Sequence, residues 1–174
     1  MNRDLLSPTA QAAAGSATLW PTRFGALPLE AHQIWQAAAP LPGFETLQRF
    51  ALIGVRTERP FVWLQSLDDA QISFLLVGAA HFGLDYPQLP APVVPLVMVL
   101  LPQRPGEDLR AHRQAPLLFD VQRGEFAQHI VEADGVRGSG VFTPQPEMAE
   151  LAALAPRLLQ LEPAQGEPPV EAGA

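Results

Sequence analysis

The sequence predicts an all-β fold: a small single-domain β-barrel, split or partly open, with a two-sheet sandwich as the second arrangement. Three observations lead there. Short runs of apolar, aromatic and β-branched residues follow one another along the chain, about eight or nine of them, each of strand length. Between them lie loops that hold most of the 19 Pro and 13 Gly, which excludes a bundle of long helices. No stretch before residue 145 sustains helical spacing. The barrel ranks ahead of the sandwich because closure removes exposed strand edges.

The elements follow in order. Thr18 to Phe24 is strand-like and ends at Gly25; Ala26 to Glu30 and His32 to Ala37 continue the pattern. Pro40, Pro42 and Gly43 force a loop. Gln48 to Val55 is apolar on both faces, as a central strand would be. Phe61 to Ser66 and Ile72 to Val77, joined through Asp68-Asp69, read as a hairpin. Residues 78–92 carry Gly78, Gly83, Pro87, Pro90 and Pro92 and read as a long irregular connection. Val93 to Leu101 is the most apolar run and, despite Pro95, a buried strand; residues 102–114 are a polar surface loop.

The sharpest local signal is Leu117 to Gln122, where Leu117, Phe119 and Val121 alternate with Leu118, Asp120 and Gln122. Arg123-Gly124 turns the chain, Gly124 supplying the left-handed conformation of a tight bulged hairpin. The return strand is Glu125 to Glu132, with Phe126 and Ile130 on one face. A last extended piece runs to Phe142.

The domain is expected to span residues 18–144. Residues 1–17 form an Ala-rich leader without fixed structure. Residues 145–174 form an Ala/Leu/Pro-rich tail, a short helix through Met148, Leu151, Leu154 and Leu158 followed by disorder. Pro156 breaks that helix. The leader lacks the continuous apolar stretch of about 7–15 residues that a signal peptide needs, and no window approaches the ~18 of a spanning helix.

Composition narrows the function. An apolar fraction of 48% against 17% charged suffices for a core. The net charge of −7 disfavours a basic nucleic-acid-binding face. All 11 basic residues are Arg, as compositional drift in a GC-rich genome would produce. With no Cys there is no disulfide, thiolate metal site or Cys nucleophile. His32, His81, His112 and His129 are scattered, without metal-ligand spacing. His32 and His129 read as surface residues and His81 as a solvated loop residue. Asp68-Asp69 and Glu107-Asp108 read as solvated turn acids rather than an acid–base pair, which would need an apolar pocket. Ser139 is not on a strand-to-helix elbow, and Gly135, Gly138 and Gly140 hold the dinucleotide spacing reversed with no helix behind it. These residues give no enzyme, no cofactor site and no metal site.

What remains is surface. Phe82 and Tyr86, beside Asp85 in a Gly/Pro-rich loop, are either core plugs or partner anchors. Gln65 closes its strand as a buried hydrogen-bonding residue or a contact.

Several segments, in order and spacing, resemble one family. Thr22 to Glu45 (TRFGALPLEAHQIWQAAAPLPGFE) resembles its opening, with the Pro-Gly-Phe-Glu signature at Pro42 to Glu45. Phe50 to Leu52 and Phe61 to Ser66 (FVWLQS), then Ile72 to Val77 with Asp85-Tyr86, then Ala115-Pro116-Leu117-Leu118 resemble later strands and loops. The family is the flagellar assembly factor FliW, covering about residues 18–144. The sequence departs from it at Gly78-Ala79 (Asn-Pro in relatives), at Leu84 (Pro), and after Tyr86, where the segment is short and Pro-rich rather than long and acidic.

The resemblance implies a cytoplasmic, non-enzymatic β-domain protein. Its partners would be the translational repressor CsrA, whose silencing of flagellin mRNA it relieves allosterically, and flagellin itself, which it binds as a chaperone-like partner. It would be monomeric alone and touch neither nucleic acid nor membrane. Phe44, Glu45, Phe82, Asp85 and Tyr86 are the expected contact residues, because they lie in the matching motifs. The alternative is a flavin- or small-molecule-binding split barrel, which uses the barrel mouth but wants a phosphate-gripping loop.

Overall fold

Residues 16–90 and 92–162 are described by a computed structural model. The expected leader up to residue 15 and the tail from residue 163 lie outside them.

Thirteen strands form among the described residues. They are β1 Thr18–Thr22, β2 Gly25–Leu29, β3 Ile34–Ala37, β4 Arg49–Val55, β5 Val62–Ser66, β6 Ser73–Gly78, β7 Leu84–Asp85, β8 Val94–Leu100, β9 Arg110–Ala111, β10 Leu117–Asp120, β11 Glu125–Gln128, β12 Arg137–Gly138 and β13 Leu158–Leu161. One short helix, α1, covers Ala149–Leu154. Seven strands close into a barrel in the order β10-β11-β3-β4-β5-β6-β8, with β8 pairing back to β10. Neighbours are antiparallel except β11 and β3, which run parallel.

The all-apolar reading of β4 has a simple geometric cause. Phe50, Ala51, Leu52 and Ile53 are all fully buried. Phe50 and Leu52 point into the barrel with Trp35, Leu64, Leu76, Leu96, Leu117, Phe119 and Phe126. Ala51 and Ile53 point outward, beneath the β1–β2 hairpin, where Leu29 and Leu67 join them. Inside, Phe119 stacks on Phe126 at 5.1 Å, while Trp35 meets Phe119 edge-on at 5.1 Å and Phe50 meets Phe126 edge-on at 5.2 Å. A second cover lies over the outer face of β6 and β8. There Val77, Val97 and Val99 are buried under Phe82, Leu84, Tyr86 and Val136.

The hairpin read at Gly124 is present: Gly124 has φ +69° and its N–H donates to Asp120 O at 2.9 Å. Its return strand stops at Gln128, short of the expected Glu132. Ile130 is therefore 68% exposed instead of sharing the buried face of Phe126. The expected strand from His32 begins only at Ile34. Ala31–Gln33 is a 3-10 turn, because Gln33 Oε1 accepts the Glu30 N–H at 2.9 Å and Glu30 O accepts the Gln33 N–H. The connection after β6 holds a 3-10 turn at Ala79–Phe82 and strand β7, which pairs with β12. The polar loop 102–114 contributes β9 on the edge of β8.

The largest departure concerns the tail. The sequence reading ends the domain at residue 144, yet packed structure continues to Leu161. Leu154 of α1 is fully buried in the barrel cluster. A 3-10 turn at Ala155–Arg157 then carries Pro156 at its start, where a missing N–H costs nothing. Beyond it β13 lies parallel to β4, Leu158 opposite Leu52 and Leu161 opposite Val55. Arg157 fastens this return: it donates to Val121 O, to His32 O at 3.1 Å and to Gln122 O at 3.1 Å, while its own carbonyl accepts from Trp35 Nε1 at 3.2 Å.

Candidate functional site

The five expected contact residues fall into two regions, each built on a different side-chain cluster. The first is the turn Leu41–Phe44. Gly43 has φ +85°, a conformation that favours glycine, and Phe44 N–H donates to Leu41 O at 2.8 Å. The Phe44 ring is half-buried and meets Phe74 edge-on at 5.0 Å, on the rim of the barrel cluster. Glu45 is exposed. Its Oε2 accepts the Gly43 N–H at 3.0 Å, and this bond with its own backbone N–H holds the carboxyl below its ordinary range. Glu45 also borders a hollow of about 230 Å³ shared with residues 36–40.

The second region is the segment after β6. Phe82 is fully buried and packs on Phe142 at 5.2 Å, so its ring fills the core of the second cover. Tyr86 is 7% exposed and its hydroxyl donates to Arg113 O at 2.6 Å. Burial pushes its phenol up to about 12, against the opposing pull of Arg113. Asp85 between them is exposed, opposite Arg137 in the β7–β12 pair. Of the three, Asp85 presents its side chain to solvent. A hollow of about 230 Å³ beside Tyr86 is edged by Glu132 and Asp134 and by the exposed Ile130.

Other residues are placed differently from the sequence reading. His81 is 1% exposed rather than solvated, and its Nδ1 accepts the Gln145 N–H at 2.9 Å. Burial depresses its basicity against the pull of Glu150. Glu150 Oε2 accepts the Ala80 N–H at 3.1 Å, so both groups bind the chain ahead of β13 to the 3-10 turn. Asp68 is more than a solvated acid: it accepts the Gln48 and Arg49 N–H groups at 2.7 and 2.9 Å and pairs with the Arg49 guanidinium. Gln65 is fully buried, accepting from Arg23 N and donating to Ser66 O and Ala70 O. It ties the β1–β2 turn to the barrel.

Among the described residues no cluster of three His, Asp or Glu has the arrangement of a metal site. No described helix is long and apolar enough to cross a membrane. A cleft of about 700 Å³ between residues 106–110 and 140–142 carries Glu107, Asp108 and Arg110 on its wall. One surface escaped the sequence reading: Phe61, Trp63, Leu75 and Leu101 line an apolar groove of about 480 Å³ on the barrel's outside. Trp63 and Leu75 are opposite one another in β5 and β6, Phe61 lies just before β5 and Leu101 just after β8, and the pairing that brings them together shows only once the register is known.

Comparison with known proteins follows the same outline. The family described as FliW protein matches residues 18–138. A "Flagellar assembly factor FliW" of Carboxydothermus hydrogenoformans is 28% identical over 129 residues, covering 67% of this chain and 83% of that protein. The one from Treponema pallidum is 31% identical over 122 residues, covering 63% and 81%. The crystal structure of the flagellar assembly factor FliW superimposes with a TM-score of 0.58 at 19% identity, over 75% of this chain and 100% of that one, a likeness of fold.

Proposed function

Since the chain belongs to the FliW family, we propose that it is a flagellar assembly factor that works by partner exchange. It binds a CsrA-type translational repressor and relieves the silencing of flagellin mRNA, and it binds flagellin in a competing complex. The observation that carries this reading is the family match over residues 18–138, the whole span of the barrel strands.

The mechanism is linkage. Flagellin and repressor draw on one pool of this protein, so bound flagellin lowers the antagonist available to the repressor, and repressor activity follows by mass action. When flagellin leaves the cell the pool is released and flagellin synthesis resumes. The net charge of −7 suits a basic RNA-binding partner, because opposite fields speed encounter and orient it. The exposed members of the motif residues, Glu45 and Asp85, with the half-buried Phe44, are the side chains this reading assigns to contact. Phe82 and Tyr86 shape the loop that carries Asp85.

The test is co-purification with each partner. The expected result is a 1:1 complex with the repressor and another with flagellin, the repressor being displaced as flagellin is added. Retention of neither partner would overturn the proposal. Retention of both at once in a ternary complex would overturn the exchange.

A further inference from the structure

One chain segment closes over the 3-10 turn Ala79–Phe82. Thr143 N–H donates to His81 O at 2.6 Å, and Gln145 N–H donates to His81 Nδ1 at 2.9 Å. Further along, Glu150 of α1 reaches the same turn, where its Oε2 accepts the Ala80 N–H at 3.1 Å. The carboxyl arrives over Gly78, where a Cβ would stand 2.5 Å from Glu150 Cδ. Residues 143–150 are thus a strap fastened to the turn by three hydrogen bonds, two of them to His81. The far end of the return is held without His81: Leu154 is buried in the barrel cluster, and the Arg157 guanidinium binds His32 O and Gln122 O.

The side-chain bond works in one protonation state only. Nδ1 accepts the Gln145 N–H while it carries no proton; protonated, it becomes a donor facing a donor. The residue is 1% exposed, so water does not replace the lost bond while the strap is closed. Around the ring, Glu150 of α1 favours the charged form. Strands β6 and β8, which pack on the turn, carry no ionisable side chain, and neither do residues 143–145. Strand β7 adds the exposed Asp85, opposite Arg137, and the strap adds the exposed Glu147. Tyr86, in the neighbouring cluster, keeps its proton up to about 12. Burial outweighs Glu150 and holds His81 below 6.5. A proton therefore binds the open strap more tightly than the closed one.

We propose that residues 143–150 form a pH-operated latch: neutral His81 holds the strap on the 3-10 turn, and protonation of His81 releases it while the barrel, Leu154 and the Arg157 contacts stay in place. Release loosens the turn that leads into β7 and the exposed Asp85, so the presentation of that residue changes with acidity. The latch does not depend on the partner-exchange reading.

Amide hydrogen exchange on the full chain, corrected for the intrinsic rate at each pH, tests it residue by residue. The expected result is that opening at Ala80, Thr143 and Gln145 rises up to about tenfold per unit as pH falls below 6.5, one proton being taken up. Low urea should leave these amides unmoved, because a local opening exposes little surface, while it speeds exchange in β4. Strap amides that share the urea sensitivity of β4 would overturn the proposal, since the strap would then open only with the barrel. An opening that stays flat below 6.5 would overturn it as well. In His81→Gln the rise should vanish, and a rise that persists there would assign it to carboxylates and sink the latch. The unaltered protein gives a check free of any folding defect: the His81 ring resonances should titrate below 6.5, and a midpoint at or above that value would overturn the proposal.

Discussion

Leu154→Ala tests whether the chain beyond the family's span belongs to the cooperative unit. Leu154 is fully buried in the barrel cluster, on a helix of only six residues that could not persist alone in water. Truncating a fully buried Leu removes its transfer energy and leaves a cavity, together about 2–5 kcal/mol. The barrel wall around α1 is β-sheet and relaxes little, so a mid-range loss of ~3 kcal/mol is expected, or a fall in Tm of roughly 6–12 °C for a chain of this length. The assay is urea unfolding followed by far-UV circular dichroism and by Trp fluorescence. Trp35 is in the interior and hydrogen-bonded to Arg157 O, and so reports on the same region. The midpoint should drop with an unchanged slope, and both probes should move together. Ala152→Ser, on the exposed side of α1, is the control and should stay within about 0.5 kcal/mol. A loss for Leu154→Ala below about 1 kcal/mol would refute the reasoning, since an appended tail would not feel the cavity.

Four more outcomes can be checked by the same unfolding assay or by titration. Tyr86→Phe should cost about 1 kcal/mol by leaving Arg113 O without its donor, while Tyr86→Glu, which buries a carboxylate, should cost on the order of 4 kcal/mol or prevent folding. This is the only Tyr, so phenolate absorbance reads it alone: the midpoint should fall near 12 rather than 10.0, with the stabilisation it contributes complete below pH 10.0 and lost as pH rises towards about 12. His81 titrates lower when folded than when unfolded, so its contribution is complete above 6.5 and is lost as pH falls below it, and His81→Gln should flatten that limb of the urea midpoint against pH. Gly138→Ala places a Cβ 1.7 Å from Gly83 O at φ +119°, a clash of backbone that must break the β7–β12 pair; wild-type stability in that variant would show the pair is dispensable.

Much of the barrel was legible because its signals are local. Leu117, Phe119 and Gly124 announce a hairpin through alternation and a left-handed glycine, and the two-faced apolarity of residues 50–53 announces a strand covered on both sides. Boundaries failed where a side chain competes for the backbone, as Gln33 does at Glu30. The tail misled for a different reason. Met148 to Leu158 has helical spacing, but only Ala149–Leu154 is helix, and Leu158 opens a strand whose partner, Leu52, lies far away in the sequence. Nothing in a four-residue run names a partner at that distance.

The candidate site divides in the same way. Phe44, Glu45 and Asp85 could be picked out as motif residues, and the structure leaves Glu45 and Asp85 on the surface. Whether Phe82 and Tyr86 plug or protrude depends on β6 and β8 presenting Val77, Val97 and Val99 outward beneath them, which no local pattern states. Alternation, turn chemistry and motif spacing thus determined the class of fold and the family, because each is a property of neighbouring residues. Strand partners, the burial of His81 and the outward groove at Trp63 were decided by closure of the barrel, because they follow from contacts between segments that the chain keeps far apart until it folds.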